Sequence, residues 1–285
     1  MALAYLFPGQ GSQVKGMGAD LFDRFPDWTS TADTTLGYSI RQLCLEDPRG
    51  ELGQTAFTQP ALYVVGAMTH RARVEDGGPA PAFLAGHSLG EYCALFAAGV
   101  FDFETGLRLV KRRGELMSQM SGGGMAAVIG LAPARIREIL ESSDAGGRVD
   151  VANFNAPDQT VLAGPTSDLT AVRPALESAG ARAVIPLRVS APFHSRYMAE
   201  AMSAFGAALD GVTFAPPAVP VMANVTARPY PSDPTAMRDT LARQIGSSVQ
   251  WLDSMRYLID QGVTEIEELG PGTVLKKLFA RIQKD

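Results

Sequence analysis

The stretch Pro81-Ala82-Phe83-Leu84-Ala85-Gly86-His87-Ser88-Leu89-Gly90-Glu91-Tyr92 restricts the fold more than any other. Ala82 to Ala85 is a short apolar run without alternation, which reads as a strand covered on both faces. Tyr92 to Ala98 reads as a buried helix closed by Gly99. Between them, Gly86-x-Ser88-x-Gly90 has the form of a nucleophile elbow, a serine held at a tight strand-to-helix turn. The positions two before and two after such a serine must be almost free of side chain, which glycine supplies. The turn pushes the Ser88 hydroxyl into the open. The N–H groups that open the next helix have no intrahelical acceptor, so they can meet a developing oxyanion. A glycine-flanked serine in an ordinary turn would need neither the buried strand nor the buried helix.

Composition narrows the classes. A chain of 285 residues with 46% hydrophobic and 19% charged residues suits a globular protein of one large domain carrying a smaller insert. No apolar run approaches the roughly 20 residues of a membrane span. A net charge of −5 argues against nucleic acid as a partner. Cys44 and Cys93 show no metal-ligand spacing, and reduced thiols in a cytoplasmic enzyme are the plain expectation.

In order along the chain, Ala2 to Phe7 is a first buried strand running into Pro8-Gly9-Gln10-Gly11-Ser12-Gln13. That loop has neither the Lys-Ser/Thr of a phosphate loop nor dinucleotide spacing. Leaving the carboxyl end of a parallel strand, it lies where open α/β sheets place ligands, so Gln10 or its neighbours can face Ser88. Residues 17–75 read as mostly helical, with turns at Pro26, Gly37 and Pro48-Arg49-Gly50 and a helix from Ala61 to Arg73 opened by Pro60. His70, near the helix end with Arg71 and Arg73 following it, reads as a surface histidine.

On the helix from about Glu104, Leu109, Val110, Leu116 and Met117 lie three or four residues from Arg113. Arg113 therefore sits on the apolar face, where a guanidinium keeps its charge and needs an anion. A structural ion pair or a snorkelling stem would also satisfy the pattern. If the substrate carries a carboxylate, Arg113 is placed to clamp it bidentately.

After Ser121-Gly122-Gly123-Gly124 the pattern changes to strand, helix, strand, strand, helix, strand, ending at Arg182–Leu187. This βαββαβ order is the split ferredoxin-like unit. The expected architecture is α/β. Residues 1–122 and 191–285 form a large, hydrolase-like domain around a mostly parallel sheet, and 123–190 form the inserted ferredoxin-like subdomain. The insert returns the chain through Ala191-Pro192-Phe193-His194-Ser195, a loop at a domain junction where clefts form. Neighbours on an elbow point apart, so His87 reads as structural and His194 as the candidate general base for Ser88.

These segments together resemble the malonyl-CoA:acyl carrier protein transacylases of fatty-acid synthesis and the acyltransferases of polyketide synthases. The resemblance runs through Phe7–Gln13, Gly86–Tyr92, Arg113-Gly114-Glu115-Leu116-Met117, Ala191–Ser195 and Ser247-Ser248-Val249-Gln250-Trp251, in order and over essentially the whole chain. It departs at Ser248, where the family usually has proline. In detail the chain looks most like the free-standing acyltransferases that serve synthases lacking their own.

The resemblance implies a ping-pong reaction with no bound cofactor and no metal. Ser88 takes the acyl group from coenzyme A and yields it to the phosphopantetheine thiol of an acyl carrier protein. It implies an oxyanion hole at the Gln10 and Leu89 amides, a carboxylate clamp at Arg113, and His194 oriented by the Gln250 carbonyl rather than by a carboxylate. Gln59 and Asn155 match positions near the family's site. Leu89 and Phe193 match the malonyl-selecting pattern, and a phenylalanine against the acyl α-carbon leaves little room for a methyl. An acidic carrier would need a basic patch, for which Arg71, Arg73, Lys111, Arg112, Lys276, Lys277 and Arg281 are the candidates. An acyl hydrolase of the same family, an unrelated serine esterase and a non-catalytic docking subunit are the rival readings. The inward arginine disfavours the hydrolase, since neutral acyl chains give it nothing to bind.

Overall fold

The computed structural model describes residues 2–285. In chain order its elements are β1 (Ala2–Phe7), α1 (Ala19–Arg24), α2 (Pro26–Leu36), α3 (Ile40–Leu45), α4 (Thr55–Glu75), β2 (Phe83–Gly86), α5 (Gly90–Ala97) and α6 (Phe103–Gln119). There follow β3 (Gly124–Ile129), α7 (Pro133–Glu141), β4 (Asp150–Ala156), β5 (Gln159–Gly164), α8 (Thr166–Ser178) and β6 (Ala183–Pro186). The chain ends with α9 (Ala199–Leu209), β7 (Val221–Ala223), β8 (Arg228–Pro229), α10 (Pro234–Arg243), α11 (Trp251–Asp260), β9 (Val263–Glu268) and α12 (Val274–Ile282).

The larger sheet has the order β8-β7-β2-β1-β9. All its pairings are parallel except β7 with β8. β1 and β2 lie side by side with Phe7 opposite Gly86, so the glycine-rich loop and the elbow leave the sheet at one carboxyl edge. This is where a doubly wound sheet opens its ligand crevice. One face of the sheet buries Tyr5, Phe7 and Leu84 against α4, α5, α6 and α9. The other buries Ala4, Leu6, Ala85 and Met222 with residues of α11 and α12. Strands covered on both faces are apolar without alternation, which is why Ala82–Ala85 carries so clear a signal.

The smaller sheet is antiparallel, ordered β4-β5-β3-β6, with α7 and α8 packed over Val128, Leu162 and Val184. That is the ferredoxin-like order expected from the βαββαβ pattern. Its edge strand β4 is stitched to the segment before α11. Phe154 N–H donates to the Val249 carbonyl at 3.0 Å, and Val249 N–H donates to the Ala152 carbonyl at 2.8 Å. Ser248, which stands where the resembled family has proline, adds a hydroxyl bond to the Val151 carbonyl at 2.6 Å.

Some boundaries differ from expectation. α4 begins at Thr55, so Pro60 lies inside it. As the sixth helical residue it costs the ladder a single bond, and the carbonyl left over is that of Ala56. α9 is apolar enough around its circumference that periodicity does not mark it, and the sequence expectation has no helix there. His70 is half-buried rather than superficial, edge-on to Tyr5, Phe7 and Phe96 with ring centroids 6.2–6.4 Å away.

Candidate active site

The elbow is as tight as its glycines suggest. Ser88 has φ 51°, a left-handed conformation that a non-glycine residue holds only when its surroundings enforce it. A Cβ on Gly86 would stand 1.9 Å from the Gly90 carbonyl carbon, and one on Gly90 would stand 2.0 Å from the Phe7 carbonyl oxygen. A Cβ on Gly9 would meet the His87 carbonyl oxygen at 2.3 Å. The loop after β1 therefore lies directly against the turn.

Three side-chain hydrogen bonds hold the turn's backbone. Asn224 Oδ1 accepts from Ser88 N–H at 2.7 Å, and Asn224 Nδ2 donates to the Gly86 carbonyl at 2.7 Å. Gln244 Nε2 donates to the Ser88 carbonyl at 2.8 Å. Behind them Glu91 is fully buried, accepting from the Asn224 N–H at 2.8 Å and from the Tyr230 hydroxyl. Burial pushes its carboxyl up to about 7, opposed by those hydrogen bonds. No motif marks Asn224, Gln244 or Tyr230. Glu91 lies inside the elbow stretch, yet only the fold reveals what it supports.

Ser88 Oγ lies 2.7 Å from His194 Nε2. His194 Nδ1 faces two carbonyls, Gln244 at 2.9 Å and Ser247 at 3.2 Å. Carbonyls only accept, so Nδ1 carries the proton and Nε2 presents its lone pair to the serine. Burial, helped by the nearby Arg113 charge, pushes His194 down to about 3. The ring is then neutral at ordinary pH and ready to take the serine proton.

The orienting carbonyl is not that of Gln250, which the resemblance implies. Gln250 caps α11, its carbonyl accepting from Ser254 N–H at 2.9 Å and from Ser254 Oγ at 2.8 Å. Gln244 follows the end of α10, where carbonyls have no intrahelical donor and are free to accept. Gln250 instead lines the cleft that contains His194.

Arg113 is 1% exposed, as its place on the apolar face of α6 predicts. Its Nη2 donates to Ser88 Oγ and to Gln244 Oε1, both at 3.0 Å, and its guanidinium carbon sits 5.5 Å from the Tyr92 ring centroid. Arg113 Nε has no hydrogen-bond partner, and among the described residues no carboxylate pairs with this side chain. Burial pulls its pKa below the usual arginine range, with Tyr92 and Glu91 opposing. A guanidinium nonetheless remains charged. A buried cation with unused donors beside the nucleophile is a place for an anion.

The remaining candidates fall around this centre. Gln10 Nε2 donates to Thr55 Oγ1 at 3.2 Å, tying the glycine-rich loop to α4. Leu89 is buried at the cap of α5, where its amide belongs to the free first-turn donors. Gln59 is buried, with Nε2 3.4 Å from Met117 Sδ and Oε1 unpartnered. Phe193 is buried next to the base. Asn155 is not at the serine: its Oδ1 accepts from His87 Nε2 at 2.8 Å, while the His87 ring packs on Trp251 at 5.3 Å. A cleft of about 510 Å³ opens beside His194, between Ser195, Ser247, Ser248 and Gln250 on one side and Asp150, Val151 and Phe154 of β4 on the other.

Comparison with known proteins is consistent along the chain. A family model described as acyl transferase domain matches residues 4–276. The polyketide biosynthesis protein ThaF of Burkholderia thailandensis is 54% identical over 279 residues, which are 98% of this chain but only 24% of ThaF. The Bacillus subtilis polyketide biosynthesis malonyl CoA-acyl carrier protein transacylase PksC is 50% identical over 284 residues, 99% of this chain and 98% of PksC. A solved holo complex of a type II polyketide synthase acyl carrier protein with its malonyl-transacylase (PlMCAT:AntF) superposes with TM-score 0.94 at 39% identity. That match covers 100% of this chain and 94% of the solved chain.

Proposed function

The chain belongs to the acyl transferase domain family, and from that premise we propose that it moves a malonyl group from coenzyme A to the phosphopantetheine thiol of an acyl carrier protein. Neighbours named for polyketide biosynthesis, and the solved carrier-protein complex, support a carrier of a polyketide synthase as the acceptor. No helix among the described residues is long and apolar enough to cross a membrane.

In the first half-reaction His194 Nε2 takes the Ser88 proton as Oγ attacks the malonyl thioester carbonyl. The carbonyl oxygen becomes an oxyanion facing the Leu89 and Gln10 amides. Collapse expels the coenzyme A thiolate, which takes the proton from His194 and leaves malonyl on Ser88. The second half-reaction runs the same steps in reverse, with the carrier thiol as nucleophile and His194 as its base. Nδ1–H, held by the Gln244 and Ser247 carbonyls, fixes the tautomer throughout. The imidazolium forms only transiently, because burial and Arg113 disfavour it.

The observation that carries the malonyl assignment is Arg113 Nη2, 3.0 Å from Ser88 Oγ on a buried guanidinium with donors to spare. A carboxylate one methylene beyond the thioester carbonyl can meet that fork, and neutral acyl groups cannot. Phe193, buried and adjacent to His194 in the chain, is the residue this reading assigns to limiting a branch at the acyl α-carbon. Intact mass spectrometry after mixing with malonyl-, methylmalonyl- and acetyl-CoA tests the reading. One malonyl increment on the wild type and none on Ser88→Ala is the expected result. Preferential acetyl labelling would overturn the substrate assignment.

A further inference from the structure

We infer that Arg137, on α7, binds the phosphate of the phosphopantetheine arm at the mouth of the catalytic cleft, whether coenzyme A or a carrier protein presents that arm. The inference rests on the acyl-transfer reading above. The arm is common to both half-reactions, so one phosphate site can register donor and acceptor alike.

Location is the first support. The cleft of about 510 Å³ that contains His194 adjoins a second cavity of about 330 Å³, and Arg137, Phe154 and Gln250 line both. Arg137 therefore stands where the two spaces meet. Ser88 Oγ is 2.7 Å from His194 Nε2, so on this inference an arm whose thiol reaches Ser88 runs past His194 into these two spaces.

Charge is the second support. Three arginines and three aspartates line these two spaces. Arg196 holds Asp150, with Nε 2.9 Å from Oδ1, while Arg256 pairs with Asp253 at 3.7 Å and with Asp285. Arg137 forms no salt bridge among the described residues. The two committed arginines face three aspartates, a net charge of −1 that Arg137 offsets, and Arg137 is the one of the three arginines without a carboxylate partner. The patch suggested by sequence is weaker, because Arg71, Arg73, Arg112 and Arg281 are each paired with a carboxylate.

Geometry is the third. The Arg137 guanidinium carbon lies 4.8 Å from the ring centroid of Phe154, a buried residue whose N–H is fixed by the Val249 carbonyl. Stacking on that platform restricts the guanidinium and leaves its in-plane donors open, the arrangement that suits a phosphate. Ala132 and Pro133, at the start of the nine-residue α7, line the second cavity, so the positive end of that helix faces the space beside Arg137.

The test compares Arg137→Ala and Arg137→Lys with wild type on substrates with and without the phosphate. Malonyl-CoA and malonyl-pantetheine serve as donors, and holo carrier protein and free pantetheine as acceptors. Removing one charge-assisted phosphate contact at an exposed site should raise KM about 10-fold for malonyl-CoA and for the holo carrier. kcat should hold, and lysine should recover part of the loss. With the pantetheine compounds wild type and variants should coincide. Equal losses with and without the phosphate, or no loss at all, would overturn the inference. A loss confined to malonyl-CoA would place a phosphate peculiar to coenzyme A there and overturn the shared site. A loss confined to the carrier would do the same from the other side. Wild type left unlabelled by both malonyl donors would instead refute the acyl-transfer reading itself.

Discussion

Asn224 clasps the nucleophile turn at both ends, its Oδ1 accepting from Ser88 N–H and its Nδ2 donating to the Gly86 carbonyl, each at 2.7 Å. A left-handed serine is held only if something outside the turn fixes it, and this amide does so from 136 residues away in sequence. Asn224 is itself fixed by Glu91, through its N–H. Removing the amide should leave two buried backbone groups unpaired, at about 1–3 kcal/mol each. Asn224→Ala is thus expected to lower the urea midpoint and to reduce kcat for Ser88 acylation more than it raises KM. Asn224→Asp, which keeps one acceptor, should recover the Ser88 N–H contact but not the donor to Gly86. Unchanged acylation kinetics in the alanine variant would mean that the glycines and Gln244 alone hold the elbow.

The glycine requirement can be tested against a matched control. A methyl at Gly86 would collide with backbone at 1.9 Å, and backbone in a strand-to-helix turn cannot step aside. Gly86→Ala should destabilise by about 3 kcal/mol or more, if it folds. Gly53→Ala, where a Cβ meets nothing within 4 Å, should stay within about 0.5 kcal/mol of wild type. Similar unfolding midpoints for the two variants would contradict the geometry of the turn.

His194 sets a pH dependence whose sign is fixed by burial. Held down to about 3, it binds a proton in the unfolded chain near the usual 6.5 but not in the folded one. Its contribution to stability is complete above about 6.5 and is lost progressively as pH falls toward 3. Glu91 acts oppositely: its raised carboxyl favours the fold below the usual carboxylate range and loses that contribution as pH rises through about 7. Urea unfolding of wild type and His194→Gln between pH 4 and 8 separates the two, since only the histidine-dependent slope should vanish in the variant. In kinetics, acylation kcat/KM should show no acid limb near 6.5. A limb at that pH would place the titrating base elsewhere.

What the sequence makes legible here is what local rules impose. Gly86, Ser88 and Gly90 announce themselves because one tight turn dictates all three, and Arg113 because a charge on an apolar helix face breaks its own pattern. The βαββαβ order of the insert follows from alternating periods. Asn224 and Gln244 carry no such mark. Each is an amide that meets the elbow only after β2, β7 and α10 assemble, and no spacing encodes a contact 136 or 156 residues long. The Gln250 assignment fails for a related reason. Which carbonyl near a helix end is free depends on where α10 stops and α11 starts, the boundaries that sequence defines least.

On the malonyl reading proposed above, Arg113 is the residue expected to separate malonyl transfer from hydrolysis or transfer of neutral acyl groups. Its Nη2 already spans Ser88 Oγ and Gln244 Oε1, and Nε is unpaired, so a malonyl carboxylate would satisfy a donor now left unmet. Truncation should therefore harm malonyl transfer far more than acetyl transfer. For Arg113→Ala the expected loss in malonyl kcat/KM is about 100-fold or more, on the order of 3 kcal/mol for a charge-assisted pair. Acetyl transfer should be unchanged or improved, because a small neutral acyl group no longer meets an unpaired charge. Arg113→Lys should recover only part of the malonyl rate, lacking the planar fork. The void left by alanine lowers stability as well, so both acyl groups must be measured on the same folded preparation, with circular dichroism to check it. Equal losses for malonyl and acetyl would make Arg113 a support for the turn through Gln244, and the malonyl assignment would lose the contact that carries it.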